Sequence, residues 1–213
     1  MEKILQEAQK KYLDGFRKER TPLLAEMEAY AAENRVPILS VDSAELLELM
    51  IKITSPKRAL EIGTAIGYSS IRIAANLSKK GILHTIEKSE DNILKAEEYI
   101  QKSGFEEKIK ILKGNAEDIM PRLEKKYDFI FLDADKEDYL KLFQYSLMLL
   151  KKKGMIFIDN LLWHGYAAAG RVPENYKTST RQIKEFNEYF MKQNSLRSII
   201  IPIGDGIGIG VKE

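Results

Sequence analysis

The apolar positions of this chain change their rhythm near residue 55. Before that point they recur at helical spacing, through Leu23, Leu24, Met27 and Tyr30 and again through Leu46, Leu47, Met50 and Ile51. Asn34-Arg35-Val36-Pro37 separates the two stretches, because the residue before a proline is pushed out of the helical region. Asp42-Ser43-Ala44-Glu45 has the form that opens a helix, an oxygen-bearing side chain followed three positions later by Glu. From Pro56 onward, short apolar runs alternate with helical stretches. Strands are predicted over 58–62, 82–86, 109–112, 127–132 and 155–158, and helices over about 68–77, 90–103, 117–125 and 139–150. Short strands that are apolar throughout belong to a parallel sheet covered on both faces.

After Asn160 the alternation stops. A polar loop leads to a helix over about 180–193, and two β-rich segments, 197–203 and 207–211, flank Gly204-Asp205-Gly206, a hairpin signal. The connection is too short for a crossover helix, so this pair is antiparallel, to the rest of the sheet or within itself. The expected fold class is α/β. It is a single-domain, doubly wound, mostly parallel seven-stranded sheet with an antiparallel C-terminal hairpin and extra N-terminal helices. Residues 1–55 form the helical extension and 56–213 the core.

Composition narrows the classes. With 213 residues, 44% apolar and 31% charged, the chain has the makings of one well-filled domain and is not globally disordered. No run approaches the roughly 20 apolar residues that span a bilayer, and the amphipathic start MEKILQEAQKKYLDGF does not read as a signal peptide. Zero cysteines exclude disulfides, thiolate metal sites and cysteine nucleophiles, and are compatible with a reducing cytoplasm, the expected location. A net charge of +2 is too mild to announce a nucleic-acid binder.

Ligands of a doubly wound sheet bind beyond the carboxyl ends of its strands. The first strand runs from Glu61 through Gly63-Thr64-Ala65-Ile66-Gly67 into Tyr68-Ser69 and a helix. Glycines let the backbone approach a ligand, and the helix start offers unpaired N–H groups. The second strand ends in Glu87, where an acid can accept ribose hydroxyls. The G-x-G-x-x-G of pyrophosphate binders is absent, and Glu61 would repel a diphosphate but could hold an ammonium group. S-adenosylmethionine is therefore favoured over NAD, against the plain alternative of a tight turn and a helix cap.

The fourth strand ends in Asp133-Ala134-Asp135-Lys136 and the fifth in Asp159-Asn160. Acids at the ends of apolar strands are costly without a partner. If the two strands are neighbours, about 4.8 Å apart, Asp133, Asp159 and Asn160 converge with oxygen ligands alone, which suits Mg²⁺ or a similar hard cation. Singly, Asp159-Asn160 could start a turn and Asp133 could cap a helix. Lys136 near such a cation would have a lowered pKa and could act as a general base. Asp135 and Asp138 read as charges at a helix start, and His84 as a satisfied residue of an apolar strand. Trp163 and His164 could wall a substrate pocket.

Together, EIGTAIGYS, HTIE, GNAEDIMPRL, FIFLDADK and IFIDN resemble the cation-dependent O-methyltransferase family, which includes catechol and caffeoyl-CoA O-methyltransferases; the resemblance runs from about Val36 to the C-terminus. It implies a Rossmann-like methyltransferase fold, with Mg²⁺ held by Asp133, Asp159 and Asn160 and Lys136 as the base. Glu61, Gly63, Tyr68 and Ser69, with Gly67 in the same turn, would border the methionine part of S-adenosylmethionine, and Glu87 would take the ribose. Asp133 would serve cation and cofactor alike, and Ala116 falls where the family often has a serine near the adenine. ENRVPIL, LEIGTAIGYSSIRIA and IPIGDGIGIG resemble most the bacterial members that methylate 5-hydroxyuridine at the tRNA wobble position.

That likeness implies a tRNA anticodon loop as partner, giving 5-methoxyuridine. The 5-oxygen and 4-carbonyl of 5-hydroxyuracil are vicinal, like the two oxygens of catechol, and either pair can chelate one metal. A small catechol or phenol therefore remains the alternative acceptor. An RNA would need cations along its track: Lys10, Lys11, Arg17, Lys18 and Arg20, then Arg171, Lys177 and Arg181, are the candidates. Arg35 and Pro37 lie on a segment that the family folds over the active site, so Arg35, Pro37, Trp163, His164 and Arg171 form the expected substrate set. Lys151-Lys152-Lys153 reads as charge at a helix C-terminus. A non-catalytic nucleotide-binding module would share the glycine turn but has no need of Lys136. The N-terminal helices carry apolar faces beyond what the sheet needs and the family commonly dimerises, so a homodimer is expected.

Overall fold

The computed structural model describes residues 6–17 and 19–213; Lys18, one of the basic candidates, lies outside the described residues. Seven strands form one sheet: β1 (Arg58–Ile62), β2 (Ile82–Glu87), β3 (Ile109–Lys113), β4 (Tyr127–Leu132), β5 (Leu150–Ile158), β6 (Leu196–Ile201) and β7 (Ile207–Lys212). Their order is β3-β2-β1-β4-β5-β7-β6. Neighbours among the first five strands are parallel, and β7 is antiparallel to both β5 and β6. Only β7 is therefore reversed, and β6 points the same way as the parallel strands.

The continuous apolarity of the central strands has its cause in burial on two sides. Phe129, Phe131 and Phe157 pack on one face of the sheet with Met27, Leu47, Ile51 and Ile71. The alternate residues Ile130, Leu132, Ile156 and Ile158 pack on the other with Phe143, Phe186 and Phe190. Helices α2 (Pro22–Asn34), α3 (Val41–Thr54), α4 (Tyr68–Asn76) and α5 (Glu90–Ser103) supply the first layer. The second comes from α6 (Ala116–Ile119), α7 (Tyr139–Leu149) and α8 (Lys177–Met191). Helix α1 (Glu7–Asp14) buries no residue.

Three local expectations are corrected. Helix α3 starts before Asp42, because the Ser40 side chain accepts the Ser43 N–H at 3.2 Å and serves as the cap; Asp42 instead pairs with Arg17. The predicted helix over 117–125 shrinks to α6 followed by a 3₁₀ turn at Met120–Arg122, since Pro121 has no N–H for a longer ladder. Lys151-Lys152-Lys153 lies not at a helix end but in the bulged start of β5, where Lys151 pairs with Asp128 at 2.6 Å and Lys153 has φ 63°. Among the described residues no helix is long and apolar enough to cross a membrane.

Candidate active site

The β1–β4 junction is where the fold changes sides: α4 follows β1 onto one face, and α7 follows β4 onto the other. At this junction the ladder continues one residue past each strand. Gly63 N donates to Ile86 O at 3.1 Å, Asp133 N to Ile62 O at 3.0 Å, and Asp159 N to Leu132 O at 3.1 Å. Gly63, Asp133 and Asp159 thus stand in a row along the carboxyl edge, the place for a ligand in this topology. Gly63 has φ 100°, and a Cβ there would sit 1.8 Å from the Asp133 carbonyl oxygen, so the close approach of the two strand ends demands glycine.

On the β1–β2 side, Gly67 opens α4 in the left-handed region with no side-chain cap, which leaves the first N–H groups of that helix to a ligand. Glu61 is fully buried. Its Oε2 accepts from Ser70, while Oε1 has no partner among the described residues. Burial pushes its pKa up to about 7, opposed by the nearby hydroxyls of Ser69, Ser70 and Thr85. A buried carboxylate oxygen without a donor is a site for an ammonium group, so the residues present fit the amino-acid end of the expected cofactor. Glu87, at the end of β2, is held by Ala65 N at 2.8 Å on one oxygen and by Lys88 N and Ser89 N at 2.9 Å on the other. Ala116 starts α6 just past Gly114, whose N–H bonds the Glu87 carbonyl at 2.8 Å.

Tyr68 has its hydroxyl engaged elsewhere. It donates to Glu28 Oε1 and accepts from Arg72, both at 2.7 Å, and Arg72 in turn bonds Glu48 at 2.6 Å. This network ties α2 and α3 to the start of α4, leaving the backbone of Tyr68 as its offering to a ligand.

On the β4–β5 side, Asp133 keeps a third of its side chain open to the cleft, whereas Asp159 is buried and its Oδ1 has no partner. Desolvation, then in Asp159 the charge of Asp133, raises both carboxyl pKa values, that of Asp159 to about 7. The cation beside them is Lys136: its Nζ lies 2.8 Å from Asn160 Oδ1, 2.6 Å from Tyr139 Oη, 3.0 Å from Ala134 O and 3.8 Å from Asp133 Oδ1. Burial lowers the Lys136 pKa, opposed by Asp133, Asp159 and Asp205. Among the described residues no three His, Cys, Asp or Glu side chains gather as a metal cage; the candidate set is two carboxylates and an amide. An orphaned buried oxygen on Asp159 and two acids that repel each other fit a hard divalent ion, which would relieve both.

The loop after Asn160 places an aromatic cluster beside Lys136. Trp163 lies with its ring 5.4 Å from Lys136 Nζ, donates Nε1–H to Ser179 at 2.9 Å, and packs at 5.0 Å on the exposed His164. Tyr176 and Tyr166 extend this wall. Arg35 is exposed at the left-handed C-cap of α2, and Pro37 is exposed on the segment leading to Ser40, which packs against Gly204 of the hairpin. Arg171 is exposed in the loop before α8.

The basic clusters are less open than their composition suggests. Arg17 pairs with Asp14 and Asp42, Arg20 with Glu28, and Lys177 with Glu174. Asp135 pairs with Lys88, and His84 Nδ1 is hydrogen-bonded to the Tyr127 hydroxyl at 2.8 Å.

Two residues of the site escaped the reading of the sequence. Tyr139 is fully buried, accepts from Lys136 and donates to the Asp159 carbonyl at 3.0 Å. Asp205 bonds the His164 N–H at 2.6 Å. The signal for Asp205 was an acid between two glycines in an apolar segment, which reads first as a turn.

The description O-methyltransferase belongs to the family whose model matches residues 16–213. The catechol O-methyltransferase of Niastella koreensis is 35% identical over 190 residues, 85% of this chain and 81% of that one. The caffeoyl-CoA O-methyltransferase of Populus kitakamiensis is 33% identical over 175 residues, 78% of this chain and 74% of that one. A crystal structure described as a putative caffeoyl-CoA O-methyltransferase from Staphylococcus aureus superposes with a TM-score of 0.90 at 31% identity, covering 97% of this chain and all of that one. The glycine turn with its unpartnered buried acid, the acids in a row at the strand ends and this kinship converge: the chain belongs to the O-methyltransferase family and is an S-adenosylmethionine-dependent O-methyltransferase.

Proposed function

We propose that the protein methylates a hydroxyl vicinal to a second oxygen, with a divalent cation such as Mg²⁺ held by Asp133, Asp159 and Asn160, and that its acceptor is 5-hydroxyuridine at the wobble position of tRNA. The observation that carries the cation is the pair of strand-end acids with an orphaned Asp159 oxygen beside the Lys136 amine. When bound, the cation supplies a positive charge that acidifies the acceptor hydroxyl and aligns it, and the cofactor supplies an electrophilic methyl group.

The chain's own residues do the rest. Glu61 Oε1 receives the cofactor's ammonium, and the open N–H groups of α4 receive its carboxylate. Lys136 Nζ, in its neutral form, takes the proton from the acceptor hydroxyl, whose oxygen would then accept the methyl group that the cofactor supplies, leaving S-adenosylhomocysteine. Tyr139 keeps the Lys136 amine in place by accepting from it. Trp163 and His164 cover the acceptor and exclude water.

The tRNA acceptor is supported by the likeness of ENRVPIL and IPIGDGIGIG to the RNA-modifying members, and by the exposure of Arg35 and Arg171. The second reading, a small catechol or phenol, has its own support in the names of the relatives and in the aromatic wall of Trp163, Tyr166 and Tyr176. Nucleoside analysis of tRNA from cells lacking the gene separates them. Loss of 5-methoxyuridine-type nucleosides, with purified protein methylating that tRNA, supports RNA; an unchanged profile with turnover of catechol replaces it by the second reading.

A further inference from the structure

The loop after Asn160 is held in an unusual conformation. Asn160, Trp163 and His164 have φ of 62°, 48° and 56°, and Gly165 follows at 79°. For residues other than glycine and asparagine this region is disfavoured and persists only where the surroundings impose it. The β6–β7 hairpin imposes it. Leu161 N donates to Gly206 O at 2.9 Å, Leu162 N to Asp205 O at 2.8 Å, and His164 N to Asp205 Oδ1 at 2.6 Å. The hairpin has no slack of its own, since a Cβ on Gly204 would meet Ser43 Oγ at 2.1 Å and one on Gly206 would meet Leu162 Cγ at 2.5 Å.

The second oxygen of Asp205, Oδ2, is buried and has no hydrogen-bond partner among the described residues. His164 Nδ1 stands 4.0 Å from that oxygen, and the Lys136 ammonium and the Asn160 side chain are further neighbours of the carboxyl. Lys136 on one side and Asp205 on the other bear on how the Asn160 amide is turned. As an ammonium Lys136 can only donate, so the amide oxygen faces it at 2.8 Å. A carboxylate can only accept, so the unpaired Asp205 Oδ2 favours the turn of the amide that brings its nitrogen toward Asp205.

We propose that Asp205 is a positioning residue of the methyl-transfer site: it clamps the 161–164 loop through the His164 N–H and turns the Asn160 amide so that its oxygen, not its nitrogen, is presented toward Asp133 and Asp159. The clamp stands on geometry alone; the second role rests on the cation reading of the site. Outer-shell partners of this kind change metal affinity by about 10–100-fold when replaced.

Trp163 is the only tryptophan of the chain and precedes His164, so its fluorescence reports the loop. The test compares the wild type with Asp205→Asn and Asp205→Ala. The Asn variant keeps an oxygen for the His164 N–H but offers Asn160 a donor. Expected are wild-type acrylamide accessibility of Trp163 in Asp205→Asn and raised accessibility in Asp205→Ala. Mn²⁺ affinity, read from the paramagnetic resonance of the free ion, falls about 10–100-fold in both. S-adenosylmethionine affinity, read by calorimetry, is unchanged in both, and kcat falls in Asp205→Asn. A merely structural aspartate would leave the Asn variant like the wild type. An Asn variant that binds Mn²⁺ as the wild type does overturns the orienting role, and an Ala variant with unchanged Trp163 accessibility overturns the clamp. A wild type that binds no Mn²⁺ defeats the cation reading and the orienting role with it, while the Trp163 readout still decides the clamp.

Discussion

Lys136 and Glu61 show how one physical cause, burial, prepares two opposite chemistries. Burial makes the Lys136 amine easier to deprotonate and the Glu61 carboxyl harder to ionise. Replacing Lys136 by Met should lower kcat by about 10²–10⁴ and remove the ascending limb of the pH–kcat profile, with S-adenosylmethionine affinity unchanged. A Met variant with an intact profile assigns the proton to another group. Glu61 gives a stability prediction. A carboxyl whose native pKa lies near 7, above its unfolded value, binds more protons folded than unfolded in between. Stability of the ligand-free protein should therefore fall as pH rises from about 4.5 to 7, by up to about 3 kcal/mol from this group. Urea unfolding at the two ends of that range checks it, and Glu61→Gln should flatten the slope. At this scale the candidate residues were legible, because acids and a lysine stand out at the ends of apolar strands. Tyr139 and Asp205 were not, since a buried tyrosine and a hairpin aspartate have ordinary structural roles and only the folded chain brings them to Lys136 and His164.

Strands and helices set the distances between those groups. Parallel pairing of β1, β4 and β5, one residue beyond each strand end, puts Gly63, Asp133 and Asp159 side by side. Gly63→Ala forces a Cβ onto the Asp133 carbonyl at a φ that side chains rarely adopt. It should destabilise the protein by about 2–5 kcal/mol, read as a lower urea midpoint, and weaken cofactor binding. An unchanged midpoint would mean that the strand ends can part. The alternation of strands and helices was legible because the strands are apolar on both faces. The boundaries that failed did so for local reasons: Pro121 cut the α6 helix short, Ser40 supplied a cap that outcompeted Asp42, and the lysine run joined β5 through its pairing with Asp128.

The whole molecule raises questions of charge and association. Ion pairs occupy much of the basic surface near the N-terminus, so any attraction for RNA falls on the exposed Arg35 and Arg171 together with Lys10 and Lys11. Tyr12 and Phe16 on and after α1 are each 68% exposed, and Leu49 and Ile53 on α3 are more than half exposed. Apolar groups left in water on two helices are the surface a second copy could cover, and light scattering at micromolar concentration should give the mass of a homodimer; a monomer contradicts that expectation.

The central claim is that Asp133, Asp159 and Asn160 gather a divalent ion beside the methyl donor. The most direct measurement is formation of S-adenosylhomocysteine with an accepted substrate, after chelation by EDTA and again after Mg²⁺ is restored. The assay is run on the wild type and on the Asp133→Ala/Asp159→Ala double variant. EDTA should stop turnover, Mg²⁺ should restore it in the wild type, and the double variant should stay inactive while still binding S-adenosylmethionine. Full turnover in EDTA, or in the double variant, contradicts the claim.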